Sequence, residues 1–447
     1  MADTKVKIAC WLYGLRHRKE FSASRALEGN GPYMSPDEKY WWGYKYYCGP
    51  IEREEPGSGL EEYFRGQDLN FKPRDGFEET AGMTLCAGGD ILAHAGLNPA
   101  TTEHLWDDVR DFYFTGDLSY ANLEAPIATS KPPAYLGKSI LAAGGMNNTP
   151  QMFDRIVDGG RGVGFFSTAN NHSLDMGEEG LLETLEFLDA RGYPHTGTAR
   201  SAGERDAVTM VERDGLKVAF VSYTFGLNWS KLPEGREYLA NYVRLNMPDP
   251  DLSAISRQVA AARAAGADAV VALLHWGLEF EAFPVRHQVE TGHRLLELGI
   301  DVIVGNHPHN VQPAERYAYT DAATGQRREG LILYALGDLL SIHRTLPNSR
   351  LACLARVRLS KGSSDGVAGV RVTSLEVLPV YLYVGKRNGE VTDYRVLDFR
   401  RLAEELRSGR DRLGQGRART QEIFRLEALM KKVLSPALEK RRTSVSG

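Results

Sequence analysis

Short apolar runs alternate with amphipathic stretches between about residue 82 and residue 345 of this 447-residue chain. Six apolar runs predict β-strands: "MTLCAGGD", "GVGFFSTAN", "LKVAFVSYTF", "DAVVALLHWG", "DVIVGNHP" and "LILYALGD". Apolar residues recur at helical spacing over 178–191, 251–265 and 286–298, which predicts helices between the strands. Strands that alternate with helices are typical of a layered α/β domain.

The segments on either side of this region have different patterns. Between about 350 and 400, the runs "RLACLARVRLS", "GVRVTSLEVLPVYLYV" and "DYRVLDF" alternate apolar and polar residues without helices between them, which is typical of antiparallel strands. A charged stretch rich in Arg and Lys follows, which predicts a solvated helical tail, with a basic docking surface as the alternative. We therefore divide the chain into an extension (1–80), a main domain that carries the chemistry (81–400) and a tail (401–447).

The N-terminal extension is unusually aromatic. Its stretch "PYMSPDEKYWWGYKYYCGP" contains Trp41, Trp42 and five tyrosines. So many rings are costly to leave in water, and we expect the segment to cover another surface. Two interpretations stay open: an arm that packs on the main domain, and a lid or wall for an aromatic or peptide substrate.

Composition and charge mainly exclude functions. The formal net charge of −4 and the isoelectric point near 6.3 provide no general attraction to nucleic acids or anionic membranes, so neither is an expected partner. No stretch reaches the roughly 18 apolar residues of a membrane span, and no signal peptide is recognisable, so we expect a cytoplasmic location. The four cysteines lie far apart without a CxxC motif, which argues against a thiolate zinc site. The oligomeric state is not predicted.

Residue types that bind metals occur at five predicted strand ends. The motifs read "GGDILAH", "NLEAP", "ANNHSLD", "LHWGLE" and "GNHPHN". They contribute Asp90, His94, Asn122, Glu124, Asn171, His172, Asp175, His275, Glu279, His307 and His309. Ligands bind beyond the carboxyl ends of strands in open α/β sheets, so we expect these side chains to converge on one site.

The "HPH" spacing indicates a site for paired ions. His307 and His309 are separated by one residue, and Pro308 restricts the backbone between them, so the two rings can contact adjacent ions that a carboxylate bridges. Imidazole, carboxylate and amide donors together favour manganese, zinc or iron over calcium. Two divalent ions about 3.5–4 Å apart would polarise substrate oxygens and lower the pKa of bound water towards about 7.

The motif "NNHSLD" combines metal binding with proton transfer. Asn171 offers a neutral amide oxygen to a metal, while His172 follows at the mouth of a helix and can exchange protons with a bound substrate. Asp175 comes about one turn later, where it can orient the histidine or cap the helix. We therefore include Asp175 with His172 among the candidate catalytic residues.

The order of these motifs resembles a known family. Between about 82 and 345 the motifs occur in the order GD, NLE, NNHxxDxGxxG, HWGxE, GNHPHxxQPxE and YxLGD. This order resembles that of the capsule-synthesis CapA family, a branch of the calcineurin-like metallophosphoesterase superfamily. Several matching motifs in one order make the resemblance specific. It implies an α/β fold, the four-layer α/β sandwich of that superfamily, here with an N-terminal extension and a C-terminal helical tail.

The resemblance also implies a site for two divalent metal ions and no organic cofactor. One ion would be bound by Asp90 and His309. The other would be bound by Asn171, His275 and His307. Manganese, zinc and iron are the candidate metals.

Three positions differ from the superfamily's pattern. Glu124 stands where a bridging aspartate is expected. The motif Asp-x-His is Asp90-x-x-x-His94 in this chain, which leaves His94 as a candidate ligand at unusual spacing. The chain reads "LGDLL" where capsule-type members have "LGNF", so Asp338 replaces an asparagine.

Cytosolic members of this branch include lasso-peptide epimerases, which invert the Cα of a precursor peptide's C-terminal residue without an organic cofactor. The expected location and the aromatic extension fit that subgroup. The resemblance therefore implies a metal-dependent epimerase whose partner is a precursor peptide. His172, Asp338 and Glu279 are the candidates for its proton-transfer groups.

Two other functions stay open. The same ions would also suit hydrolysis of phosphoester or amide bonds, including those of a polyglutamate-like chain. In the third interpretation the metals are structural, and the protein is a binding module for anionic polymers. A serine hydrolase and a nucleotide-binding loop are excluded, because no GxSxG motif joins a strand to a helix and the glycine run at 158–164 precedes a strand.

Overall fold

The computed structural model describes residues 2–17, 27–73, 76–135, 145–322, 324–343, 346–364, 367–414 and 416–434. Within these residues the strands form two sheets. In chain order the strands are β1 (Glu78–Ile91), β2 (Leu118–Leu123), β3 (Phe165–Ser167), β4 (His195–Thr196), β5 (Thr209–Arg213), β6 (Leu216–Thr224), β7 (Ala269–His275), β8 (Val302–Asn306), β9 (Ala314–Thr320), β10 (Arg327–Leu333), β11 (Asp338–Leu340), β12 (Leu351–Ser364), β13 (Val367–Arg387) and β14 (Glu390–Asp398).

The larger sheet has the strand order β14-β13-β12-β1-β2-β3-β4, with β11 also paired to β1, and the smaller sheet has the order β5-β6-β7-β8-β10-β9. The six sequence-predicted strands are confirmed. So are the antiparallel strands beyond residue 350, which continue the larger sheet from β1. The six predicted strands do not include β2, although "NLEAP" at its end was interpreted as a strand end, because Ser119 and Asn122 interrupt the apolar run of this largely buried strand.

Helices flank the sheets. In chain order they are α1 (Ala2–His17), α2 (Pro36–Cys48), α3 (Leu60–Arg65), α4 (Arg110–Tyr113), α5 (Pro150–Val157), α6 (Gly177–Ala190), α7 (Ala202–Asp206), α8 (Ser253–Ala264), α9 (Arg286–Glu297), α10 (Phe399–Arg407) and α11 (Gly416–Val433), with short 3-10 helices at Asp158–Gly160 and Pro347–Arg350. The three sequence-predicted helices are confirmed as α6, α8 and α9.

A shared apolar core joins the two sheets face to face. Met83 of β1 and Phe220 of β6 are fully buried in one cluster, which extends outwards to Ile255 of α8. A second cluster packs Phe153 of α5 and Leu188 of α6 on the outer face of the larger sheet. Each such side chain stabilises the fold by about 1.5–3 kcal/mol when it is fully buried. The expected layered α/β fold is confirmed.

The parallel strands of both sheets end at the same edge of the sandwich. In the larger sheet, Asp90 of β1 is paired with Asn122 of β2. In the smaller sheet, His275 of β7 is paired with Asn306 of β8. The amide Nδ2 of Asn122 lies 3.2 Å from Nδ1 of His275, so the two sheets meet here. The polar strand ends are thereby collected in one place.

The N-terminal extension packs on this edge. Asn30 donates from Nδ2 to the carbonyl of Phe225, just beyond β6, at 3.3 Å. Ile51 donates from its backbone N–H to the carbonyl of Phe280, beyond β7, at 2.8 Å. Trp41 is 4% exposed in α2. The extension therefore covers the sandwich where the candidate side chains lie, while the division of the chain into three parts stays a prediction.

The C-terminal helices pack on the antiparallel side of the larger sheet. Helix α10 contacts β13 and β14, and α11 contacts α10 and α3. Residues 435–447 of the predicted tail, and residues 18–26 and 74–75 of the extension, lie outside the described residues. In the part of the chain that is described, the helices are too short or too polar to cross a bilayer.

Candidate metal centre

Ionisable side chains from both sheets are buried together where the parallel strands end. The most deeply buried candidates are Asp90, Glu124, Asn171, His275, His307, His309 and Asp338, each at most 3% exposed. His172 is 8% exposed, and the side chain of Glu279 is 12% exposed. Burying so many ionisable groups is costly unless cations or hydrogen bonds compensate them, so this cluster is a candidate functional site.

One part of the centre consists of an amide and two imidazoles. His275 Nε2 lies 2.9 Å from Asn171 Oδ1 and 3.2 Å from His307 Nδ1. Burial lowers the pKa of both His275 and His307 well below the usual range, and neighbouring histidines add to the effect. Neutral imidazoles with converging nitrogen atoms are the form that binds a metal.

Glu124 is the central carboxylate. Its Oε1 lies 3.6 Å from His275 Nε2 and 3.9 Å from the Nε2 atoms of both His309 and His172. The side chain is fully buried, and neither oxygen receives a hydrogen bond from the described residues. Burial raises the pKa of Glu124 well above its usual range, with the Asp90 charge adding to the effect. Two buried, unpartnered oxygens are what a bridging cation would satisfy.

Asp90 is held by two donors from different sheets. Asn122 donates from Nδ2 to Oδ1 at 2.7 Å, and the backbone N–H of His307 donates to Oδ2 at 3.0 Å. Burial raises the pKa of Asp90 to about 6, and the nearby Asp338 carboxylate adds to this shift against the opposing effect of His309. These contacts fix the carboxylate of Asp90 beside the histidine turn.

The "HPH" turn has an uncommon backbone. His307 has φ 103° and His309 has φ 52°, in the region that L-residues rarely adopt. Backbone strain of this kind concentrates at functional sites, where the surrounding structure holds it. The turn directs both rings into the centre: the ring centroids of His307 and His309 lie 6.0 Å apart. Both rings therefore lie in the centre, while their contact with adjacent ions stays a prediction.

Asp338 contacts His309 on the side of β11. Oδ1 of Asp338 lies 2.7 Å from His309 Nδ1, and Ser341 Oγ donates to Oδ2. Burial acts to raise the pKa of Asp338, but His309 and His343 together hold it well below its usual range. Conversely, burial acts to lower the pKa of His309, while Asp338 and Glu124 raise it well above its usual range.

His172 forms a dyad with Asp175. Nδ1 of His172 lies 2.6 Å from Asp175 Oδ2, which also accepts the backbone N–H of Met146. Asn228 also contacts the ring, with its Nδ2 3.2 Å from His172 Nε2 and 3.5 Å from Nδ1. Helix α6 begins without a side-chain cap, and its N-cap residue is Met176. Of the two predicted contacts of Asp175, orienting the histidine is therefore the one present.

Glu279 links the centre to the aromatic extension. Its Oε1 lies 3.7 Å from His309 Nε2, and Trp42 Nε1 donates to Oε2. The Trp42 ring lies 6.2 Å from the ring of Phe280, which in turn stacks on His309 at 5.9 Å. An aromatic wall from α2 therefore borders the candidate metal centre, which is the geometry that the lid or wall interpretation requires.

Residues 84–342 match the family described as "Bacterial capsule synthesis protein PGA_cap". The chain belongs to this family. The match covers more than half of the chain and contains every candidate site residue of the sequence analysis, from Asp90 to Asp338. The resemblance to CapA proteins is thereby confirmed.

Individual PGA_cap relatives are distant in sequence. The capsule biosynthesis protein CapA of Bacillus anthracis is 23% identical over 268 residues, which are 59% of this chain and 60% of that protein. The PGA biosynthesis protein CapA of Bacillus subtilis is 22% identical over 294 residues, 65% of this chain and 70% of that protein. A probable polyglutamine synthesis accessory protein of Mycobacterium tuberculosis is 26% identical over 220 residues, 47% of this chain and 54% of that protein.

A solved structure is also similar to this PGA_cap protein. It is a Thermus thermophilus sulfate thiohydrolase, SoxB, in complex with glycerol, with 17% identity and a TM-score of 0.33 over 70% of this chain and 42% of that chain. A TM-score this low supports no conclusion about the reaction. The chain spans 60% of the length of the Bacillus anthracis relative, and less of the SoxB chain.

His94 is not a member of the compact donor groups of this PGA_cap centre. Its Nδ1 accepts the backbone N–H of Gly96 at 2.8 Å, and the ring is partly exposed. In the described residues, donor atoms lie within 4.8 Å of one another in two groups: Glu124 with His307 and His309, and His309 with Asp338 and His343. His94 is in neither group. Its assignment as a ligand stays a prediction.

Sequence reasoning missed His343 and Asn228. His343 follows β11 in "GDLLSIHR", so the strand-end pattern that selected the other histidines also applies to it. Asn228 had no local signal, because it follows β6 in an irregular segment and approaches His172 only through the fold.

The donor set fits divalent metal ions. Neutral imidazoles, a neutral amide oxygen and carboxylates occur together, and the two oxygens of Glu124 are buried without hydrogen-bond partners. Manganese, zinc and iron accept such mixed ligands, whereas calcium prefers oxygen alone. The fold and the donor groups of this PGA_cap protein thus support a metal-dependent enzyme, and the identity and number of the ions stay predictions.

Proposed function

We propose that the protein is a metal-dependent peptide epimerase, which inverts the Cα of the C-terminal residue of a ribosomal precursor peptide. The observation that supports this most is the position of two proton-transfer candidates. His172 Nε2 lies 3.9 Å from Glu124 Oε1, and Glu279 Oε1 lies 3.7 Å from His309 Nε2. The first comes from the larger sheet and the second from the smaller, so they approach the centre from different sides.

Epimerisation needs groups of this kind on opposite faces of one carbon. One group removes the Cα proton, and the other returns a proton to the opposite face. The roles exchange when the reaction runs in reverse. Both side chains are more exposed than the proposed ligands, so they are the ones that a bound peptide would touch.

The metal ions would be held by the most buried donors. These are Asp90, Glu124, Asn171, His275, His307 and His309. When bound there, the ions supply Lewis acidity, which withdraws charge from a terminal carboxylate and its neighbouring carbonyl and so acidifies the Cα–H bond.

The His172–Asp175 dyad has the hydrogen bonds of a positioned base. Asp175 accepts from Nδ1, which assigns the proton to that nitrogen and leaves Nε2 as the acceptor facing Glu124. The Nδ2 group of Asn228, 3.2 Å away, can donate to the same Nε2. A base that is oriented by a carboxylate loses little entropy when it meets its substrate.

Glu279 is better placed than Asp338 to be the second proton-transfer group. Trp42 binds one oxygen of Glu279 and leaves Oε1 directed towards His309. Asp338 is fully buried, and both its oxygens are engaged by His309 and Ser341. A carboxylate that is enclosed in this way is less accessible to a substrate than Glu279.

Aromatic rings limit the access of water to the centre. Phe225 packs on His307 with ring centroids 4.4 Å apart, and Phe280 stacks on His309. Gly29 of the extension lies so close that a Cβ there would be 3.8 Å from His307 Nε2 and 2.6 Å from the Phe225 ring. Excluding water favours reversible proton exchange over hydrolysis.

A second candidate function is hydrolysis by the same ions. The names of the relatives favour it: they refer to capsule biosynthesis, PGA biosynthesis and polyglutamine synthesis. In this alternative, the site cleaves phosphoester or amide bonds, including those of a polyglutamate-like chain, and His172 transfers the proton to the leaving group. The precursor-peptide partner and binding of anionic polymers stay predictions.

Incubation with candidate peptides in deuterated water tests the proposal. An epimerase breaks and remakes one Cα–H bond, so its substrate should gain one mass unit without cleavage, and either diastereomer should approach the same mixture. Glu279→Gln should slow exchange from one diastereomer more than from the other, whereas Glu178→Gln, on the partly exposed Arg236 ion pair, should have no effect. Peptide fragments without deuterium at Cα would contradict the epimerase and support the hydrolase instead.

A further inference from the structure

The ligand set implied by the superfamily is incomplete for one ion. Where the superfamily has the histidine of Asp-x-His, this chain has Leu92, which is 4% exposed and belongs to a small apolar cluster. His94 lies outside the compact donor groups. The resemblance therefore assigns Asp90, His309 and Glu124 to this ion, with His94 at an unusual spacing. The assignment of further ligands to this ion rests on the proposed metal centre.

Asp338 lies directly beside Asp90. Strand β11 pairs in parallel with β1, and Asp90 and Asp338 are register partners in this pairing. Both carboxylates are fully buried. The ring of His309 lies near both carboxylates, with Nδ1 2.7 Å from Asp338 Oδ1 and 3.8 Å from Asp90 Oδ2. Two adjacent buried carboxylates around one imidazole form a compact set of anionic and neutral donors.

His343 closes this set from the segment after β11. Its Nε2 lies 3.2 Å from Asp338 Oδ2, and its ring centroid is 5.0 Å from that of His309. One donor atom from each of His309, Asp338 and His343 lies within 4.8 Å of the other two. The side chain is 11% exposed, so it stands between the buried carboxylates and the surface.

The buried negative charge of this region requires cations to compensate it. Asp90, Glu124 and Asp338 are fully buried within one centre, and their ion-pair partners are histidines. Among the described residues, no lysine or arginine pairs with any of the three. Buried carboxylates that lack a permanent cation are costly, and divalent ions supply the missing charge in the least volume.

We propose that Asp338 and His343 are ligands of the same ion as Asp90 and His309, in place of the histidine of Asp-x-His. Asp338 is then a metal ligand and not a proton-transfer group. The asparagine of "LGNF" proteins would place a neutral amide at this position. Asp338 instead places a negatively charged carboxylate beside the additional imidazole of His343.

Metal titration of the stripped protein tests this assignment. With Mn(II) or Co(II) as the probe, the wild type should bind two equivalents tightly, and His343→Ala and Asp338→Asn should each bind one. His94→Ala is the matched control and should keep both. Pulsed EPR of the Mn(II)-loaded protein should lose the nitrogen couplings of the ion bound by His309 and His343 in His343→Ala, and none in His94→Ala. Circular dichroism melting identifies a variant that fails to fold, and His343→Gln then replaces it.

The outcomes separate this inference from the proposed function. If His343→Ala keeps both equivalents and all nitrogen couplings, His343 is no ligand and the inference is wrong. A loss of only about 10–100-fold in affinity with unchanged couplings also contradicts it, because that is the effect of a residue that merely orients a ligand. If the wild type itself binds no metal, the proposed function fails as well. Loss of one ion from His94→Ala would make His94 the ligand of this site and contradict the inference.

Discussion

Replacing Lys45 by methionine should destabilise the protein strongly, because two carboxylates would stay buried without their cation. Lys45 is fully buried in α2, with Nζ 2.7 Å from Glu28 Oε1 and 2.9 Å from Glu281 Oε1. Removing one partner of a buried ion pair costs about 3–5 kcal/mol. Methionine keeps the unbranched apolar stem of lysine, so the loss of stability measures the effect of removing the positive charge. We expect the free energy of unfolding to fall by about 3–5 kcal/mol.

The loss in Lys45→Met should depend on pH. Burial raises the pKa of Glu28 to about 7 even with Lys45 present, and Glu281 adds to this shift. The folded state thus keeps a proton that the unfolded chain releases above about 4.5, so the contribution of Glu28 to stability falls as pH rises from about 4.5 to 7. Without Lys45 the carboxylates are tolerated only when protonated. The destabilisation should therefore be smaller at pH 5 than at pH 8.

Urea unfolding followed by circular dichroism measures this effect. Lys431→Met is the matched control, because Lys431 pairs with Glu427 on the surface and is 55% exposed, so its loss should change stability by at most about 1 kcal/mol. The triple variant with Glu28→Gln and Glu281→Gln should recover most of the lost stability, since it removes the uncompensated charges. A loss below about 1 kcal/mol, or one that is equal at both pH values, would refute the reasoning.

Three further predictions concern the centre. His172→Ala should keep its metal content while kcat falls by about 10²–10⁴, and loss of metal with the ring would make it a ligand. His275→Ala and His307→Ala should each lose one ion by elemental analysis, and full activity of metal-free protein would contradict a metal mechanism. Trp42→Phe should fold normally but raise KM or lower kcat, because it removes the indole N–H donor at the site. Trp41→Phe should leave both kinetic constants unchanged, and identical kinetics for the two variants would exclude a wall role.

Much of the site was predictable because strand-end motifs are local. The apolar runs before Asp90, His275 and His307 predicted buried parallel strands, and parallel strands bring their carboxyl ends to one edge. The motif order was sufficient to predict the family. The position of the Glu124 carboxylate among the histidines was implied by the resemblance, since β2 itself was not recognised from its pattern.

The roles of Asp338 and Asp175 were left open by the sequence for a physical reason. Asp175 could orient His172 or cap the helix, and Asp338 was one of three candidates for proton transfer; only the side-chain direction distinguishes these roles. Asp175 points back to His172, and Asp338 points to His309. Such directions depend on backbone torsions at strand and helix ends, which a residue pattern does not specify.

The sequence by itself determined the alternating strands and helices, the donor residue types at the strand ends and the family, because each of these depends on short local sequence patterns. Only the tertiary structure decided which distant segments meet. Asp338 reaches Asp90 through the β1–β11 pairing, and Trp42 reaches Glu279 across more than 200 residues. These contacts depend on strand register and on the packing of the extension, and the energies that select them come from burial of the whole core rather than from any local propensity.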